Sequence, residues 1–163
     1  MYDFFKNWIV SNYTQLGEGL KQGFEQNNYL VKNSPTQGDD FRLLLTLKDS
    51  TQPSIEVYKE KNSQFLHYSA NIKLGQKSLE KFNLMSIPKQ QELRKSLEDL
   101  QKTLKVDFYE IEDDGKDYHI SIKCITNLDE FTPESIAESM DNLNESGNAI
   151  LNTLHDFFAG QQE

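Results

Sequence analysis

Apolar and polar positions alternate along this chain with two periods, and the switches between them outline the fold. Near the N-terminus Phe5, Ile9, Leu16, Leu20 and Phe24 fall at spacings compatible with one helical face, with Trp8 and Tyr13 beside them. This predicts a helix over residues 2–12. Gly17, Gly19 and Gly23 would each cost up to ~1 kcal/mol inside a helix, so they are expected to interrupt its continuation. The run Asn33-Ser-Pro-Thr-Gln-Gly-Asp-Asp40 reads as a loop. The period then drops to two. Phe41, Leu43, Leu45 and Leu47 alternate with Arg42, Thr46 and Lys48; after the break Ser50-Thr-Gln-Pro53, Ile55, Val57 and Lys59 continue the pattern. Beyond a turn at residues 60–63, Leu66, Tyr68, Ala70 and Ile72 alternate with His67, Ser69, Asn71 and Lys73. Three antiparallel strands joined by short turns are predicted.

The helical period returns at residues 78–85 and again after Ser86-Ile-Pro88, with Pro in the first turn, where its missing N–H costs nothing. Leu93, Leu97, Leu100 and Leu104 repeat as a buried stripe. Strands over residues 106–112 and 117–125 flank Asp113-Asp-Gly-Lys116, a hairpin signal. In Thr132-Pro-Glu-Ser135, Thr132 is placed to cap a helix, with Pro133 first inside it and Glu134 in its first turn. Ile136, Met140, Leu143, Gly147, Ile150, Leu154 and Phe158 line one face of that helix, which Gly160 ends. The expected fold class is α+β: an N-terminal helix, a three-stranded antiparallel meander, a helix, a two-stranded hairpin, and a long C-terminal helix packed on the sheet. All of it is expected in one domain spanning residues 1–163.

Charge changes the picture locally. The formal net charge is -9, from 26 acids and 17 bases, which argues against a nucleic-acid-binding domain. Residues 124–163 hold eight acids and no Lys or Arg, so the first 123 residues are nearly neutral. Glu134, Glu138, Asp141 and Glu145 repeat at the spacing of one helical stripe, offset by ~200° from the apolar one. Such a stripe is either a solvated face that aids solubility or a docking surface for a basic partner. A general acid–base pair would instead need a dry cleft. No apolar run approaches the ~20 residues of a membrane helix, and Asp3 stands where a signal peptide would be basic, so a cytoplasmic protein without membrane attachment is expected.

Candidate chemistry is sparse. His67, His119 and His155 show no metal-ligand spacing, so only the fold could bring them together. Cys124, the single cysteine, continues the side of Tyr118, Ile120 and Ile122 and reads as a small buried hydrophobe. Glu110-Ile-Glu-Asp-Asp-Gly115 opens like a calcium loop, but Ser121 stands where the bidentate glutamate belongs. No phosphate loop or nucleophile elbow occurs.

The order of elements carries a resemblance. It rests on Ser54-Ile-Glu-Val-Tyr58 through Ile72-Lys-Leu74, the Leu79, Leu93, Leu97 and Leu100 helical region, and Val106-Asp-Phe108 with His119-Ile-Ser-Ile122. The segment Asn127-Leu-Asp-Glu-Phe-Thr-Pro-Glu-Ser-Ile136 leading into the last helix completes it. Together these resemble a small archaeal family of unknown function, in a layout similar to the type III secretion chaperone (Tir chaperone) fold and to related bacterial sensory transduction regulators. The resemblance covers residues 41–160, and the first 40 residues match poorly. It implies a non-enzymatic protein that dimerises and holds extended segments of other chains. The expectation is therefore a protein-interaction or chaperone-like module, without cofactor or metal, possessing Glu134, Glu138, Asp141 and Glu145 as its partner-binding surface. The alternative is an enzyme or small-ligand-binding protein whose site is assembled from scattered residues such as His67, His119 and Tyr109.

Overall fold

The computed structural model describes residues 15–48, 53–113 and 116–160. The helix expected over residues 2–12 lies outside them. The chain forms two compact units, residues 1–70 with 124–141, and residues 71–123 with 142–163.

The first unit corrects the reading of its glycines. Helix α1 (Leu16–Gln26) runs through Gly17, Gly19 and Gly23, and buries Leu16, Gly19, Leu20, Gly23 and Phe24 as one face. It packs on strands β1 (Tyr29–Asn33) and β2 (Asp39–Leu47). A Cβ at Gly17 would stand 2.9 Å from Phe41 Cγ, so glycine is what permits this approach. Burial of the apolar face outweighs the intrinsic helix cost. Asn28 adopts the left-handed conformation (φ 66°) just beyond the helix, and its carbonyl accepts from the Lys48 N–H at 3.0 Å. That turn launches β1, a strand absent from the sequence reading because only Tyr29, Leu30 and Val31 are apolar there.

Strands β3 (Ile55–Glu60) and β4 (Phe65–Lys73) continue the antiparallel order. The registers Leu43↔Val57, Leu45↔Ile55, Val57↔Tyr68 and Ile55↔Ala70 put six buried side chains on one sheet face, as alternation demands. Asn62 (φ 61°) makes the β3–β4 turn. At the far end of the sequence, a 3-10 turn (Leu128–Glu130) leads to α4 (Pro133–Ala159), a helix of 27 residues. The cap is reciprocal: the Ser135 N–H donates to Thr132 Oγ1 at 3.1 Å and the Thr132 N–H to Ser135 Oγ at 3.0 Å.

In the second unit, α2 (Gln76–Leu84) and α3 (Ile87–Gln101) bury Phe82, Leu93 and Leu97. The expected leucine stripe closes there, because α3 ends at Gln101; Leu100 and Leu104 are half-buried. Strands β5 (Asp107–Asp113) and β6 (Asp117–Asn127) form the predicted hairpin, with Phe108 opposite Ile122 and Glu110 opposite Ile120. The sheet order is β1-β2-β3-β4-β6-β5. The Leu74 N–H bonds the Tyr118 carbonyl at 3.0 Å, and the Leu128 N–H bonds the Gln64 carbonyl at 2.8 Å, so β6 runs antiparallel to β4. The meander and hairpin of the sequence reading thus belong to one six-stranded sheet, in the α+β class expected. On α4 the foreseen apolar stripe is buried from Ile136 through Leu154, and Phe158 is half-buried.

Two of the helical glycines, Gly147 and Gly17, respond oppositely to a methyl group. A Cβ at Gly147 meets only Ile122 Cδ1, at 3.8 Å, an ordinary contact. Gly147→Ala is expected to raise stability by about 0.5–1 kcal/mol through reduced unfolded-state entropy. Gly17→Ala is expected to lower it by about 1–3 kcal/mol, because the root of the Phe41 side chain cannot move aside. Urea unfolding of both variants checks the contrast, which equal shifts would refute.

Candidate functional site

The acidic stripe of α4 has the geometry its spacing implies. Glu134, Glu138, Asp141 and Glu145 are all exposed, while Ile136, Met140 and Leu143 on the other side are buried. The helix contains no Lys or Arg. Among the described residues, no cationic side chain lies within ion-pair distance of Glu138, Asp141 or Glu145. Their mutual repulsion along the helix is therefore met by solvent alone.

The remaining polar chemistry is drawn into the fold, and the two arginines organise much of it. Arg42, on the sheet face opposite Leu43, donates from Nε to Asp39 Oδ2 at 2.8 Å and from Nη1 to Glu56 Oε2 at 2.6 Å. Its guanidinium lies 3.9 Å from the Tyr58 ring centroid, and Tyr58 stacks on His67 at 4.9 Å with 9° between planes. The Asp39 side chain is 2% exposed and also accepts from the Thr36 hydroxyl at 2.8 Å. The Arg42 hydrogen bond holds its carboxyl well below the usual range, at about 2.

In the second unit, Arg94 Nη2 bonds Glu112 Oε2 at 2.6 Å, while its Nε lies 3.6 Å from Glu110 Oε2, which accepts from the Tyr118 hydroxyl at 2.6 Å. Burial, reinforced by Glu110, pushes the Tyr118 phenol far up. Glu110 and Glu112, the first two carboxylates of the calcium-like motif, thus serve an arginine and a tyrosine. Sequence reading missed both clusters. Their one visible signal is composition, since Arg42 and Arg94 are the only arginines among 17 bases, and bidentate pairing is what Arg does and Lys does not.

Three further groups have neighbours within the fold. Cys124 is half-buried, its thiol faces the Ser139 carbonyl at 3.6 Å, and burial pushes it up to about 11, far from a reactive thiolate. Thr126 and Ser139 pair their hydroxyls at 3.1 Å beside the buried Tyr68 phenol, which burial also pushes up. His119 Nδ1 stands 3.6 Å from Asp117 Oδ2, itself bonded by Lys73 Nζ at 3.0 Å, which lowers the Asp117 carboxyl. His119 shares a face of the β5–β6 hairpin with Tyr109, whereas His67 is stacked on Tyr58. None of the three lines either groove described for this chain. The first, about 540 Å³, includes Gly17, Asn33, Phe41, Arg42 and Lys59; the second, about 370 Å³, lies between the ends of β4 and α4 and the start of α2. Among the described residues no group of three His, Cys, Asp or Glu is placed to hold a metal ion, and no helix is long and apolar enough to cross a membrane.

With this geometry in hand, known proteins place the chain. The sequence pattern of the uncharacterized conserved proteins DUF2299 spans residues 18–154. The chain belongs to the DUF2299 family. No curated protein matches it. Two crystal structures show the same fold. An uncharacterized protein from Methanothermobacter thermautotrophicus superposes with a TM-score of 0.75 at 11% identity, over 88% of this chain and 97% of that one. YbjN from E. coli, proposed as a transcription regulator, gives 0.54 at 12% identity, over 93% and 97%. At such identities the shared feature is the fold, and the DUF2299 pattern itself reaches into α1, where the sequence resemblance was poorest.

The Asp39–Arg42 pair predicts a pH signature. A carboxyl whose folded pKa of about 2 lies below its ordinary 3.8 contributes stability above pH ~4 and loses it as pH falls through ~2. Asp39→Asn is expected to cost about 1–2 kcal/mol at pH 6, and the gap to the unsubstituted protein should shrink steadily from pH ~4 to pH ~2. Urea unfolding across that range measures it; a gap independent of pH would contradict the pairing.

Proposed function

We propose that this DUF2299 protein is a non-enzymatic, chaperone-like or regulator-like module that binds another protein, with Glu134, Glu138, Asp141 and Glu145 as the binding surface for a basic partner. The observation that carries the reading is the stripe itself: exposed carboxylates in line on a 27-residue helix that contains no Lys or Arg. A surface serving solubility alone gains nothing from aligning like charges at i,i+3 and i,i+4 spacing, where each pair costs a few tenths of a kcal/mol. Alignment suits a complementary row of Lys or Arg. The edge strand β5 supports the same reading, since Tyr109 and Ile111 are exposed there at 53% and 44%. The fold shared with YbjN, proposed as a transcription regulator, is compatible with a regulator-like role. On this reading the protein works in the cytoplasm as a homodimer, needs no cofactor, and engages neither nucleic acid, which its charge repels, nor membrane.

Capture from native lysate at low and high salt tests the proposal. A partner should be retained at low salt and released at high salt, and replacement of Glu138, Asp141 and Glu145 by Gln should abolish its retention. A partner held equally by both forms would overturn the stripe as the binding surface. Light scattering across concentration tests the dimer.

A further inference from the structure

The apolar stripe of α4 outlasts its cover. Ile150 is fully buried and Leu154 nearly so, but Phe158 is only half-buried and Leu151, beside them, is 38% exposed. Together with Ile72 and Leu74 at the end of β4, these residues wall the groove of about 370 Å³. Its volume lies in the range of small-molecule sites, which are mostly apolar with a few placed polar groups. The rim supplies such groups. Lys73, Lys81 and His155 border the groove, in a chain whose overall charge is strongly negative. Lys73 is held by Asp117, but among the described residues no carboxylate lies within ion-pair distance of Lys81. Gly75, at the N-cap of α2, and Ser78, in its first turn, complete the rim, and no side chain caps that turn. His155 Nδ1 faces Asp156 Oδ1 at 3.4 Å, so the rim's charge is carried by the lysines. An ammonium beside an apolar trough is complementary to an aliphatic chain ending in an anion.

We infer that this groove binds a linear aliphatic monocarboxylate, with the chain laid between Ile72, Leu74, Leu151, Leu154 and Phe158 and the carboxylate paired with Lys81. The inference does not depend on the acidic stripe. Phe158 lines the trough as the last member of the helix stripe, and Leu151 forms a wall that the core does not require. Because the site is short and open at the rim, a medium chain fits it better than a long one.

Amide-resolved NMR titration with decanoate, kept below its micelle concentration, tests the assignment against decanol and acetate. Decanoate should shift amides of residues 72–81 and 151–159 in a saturable way, and acetate should not. Decanol should bind more weakly, and salt should weaken decanoate alone. Lys81→Gln is expected to weaken decanoate about fivefold, the upper value of one exposed ion pair, without affecting decanol. Leu151→Glu should remove both. Shifts that are absent, or scattered over the surface, or unchanged in both variants would overturn the site. Equal binding of decanol and decanoate would overturn the role of Lys81.

Discussion

One sheet face of apolar side chains has to be covered, and the helices of this protein answer that need. Leu43, Leu45, Val57 and Tyr68 stand in register across β2, β3 and β4 at 2% exposure or less. Each such side chain is worth roughly 1.5–3 kcal/mol when fully buried, so the register is fixed by the cost of slipping it. A one-residue slip would turn Arg42, Glu56 and His67 inward and the leucines out. The glycines of α1 belong to the same logic: Gly17 brings the helix onto Phe41 at a distance no side chain would permit.

On the opposite sheet face in the first unit, and on the helix-covered face in the second, a guanidinium gathers the acids. Arg42 binds Asp39 and Glu56 and lies over Tyr58; Arg94 binds Glu112 and lies near Glu110, with the Phe82 ring 6.0 Å away. Both do what a lysine could not, by spreading planar donors over two carboxylates and an aromatic face. Asp39, Glu110 and Tyr118 are held in these pairs, and burial pushes the Cys124 thiol up to about 11. Among the described residues, Glu138, Asp141 and Glu145 of α4 stand outside such pairs.

How much of this could be read from residues alone follows from the range of the interactions. The alternation in residues 41–73 and the spacing from Ile136 to Leu154 are local, and both the strands and α4 stand close to where they were expected. The capping Thr132 was equally visible, because a cap is settled within four residues. What failed was non-local. The glycines of α1 look like helix breakers until Phe41, 24 positions away, is placed against Gly17, and β1 is too short to announce itself without its partner β2. The arginine clusters join residues 14 to 18 apart, and the 370 Å³ groove joins segments some 75 apart, so no window of sequence contains them. The acidic stripe was legible in full as geometry, since helical spacing is all it requires.

The central claim is that the outer face of α4 is kept for a partner and not for folding. Equilibrium urea unfolding of the protein with Glu138, Asp141 and Glu145 replaced by Gln, compared with the unsubstituted chain at neutral pH and low salt, tests it most directly. Removal of three like-charge pairs should leave stability unchanged or raise it by roughly 0.5–1 kcal/mol. A loss of stability would show that these carboxylates serve the fold, and would contradict the account.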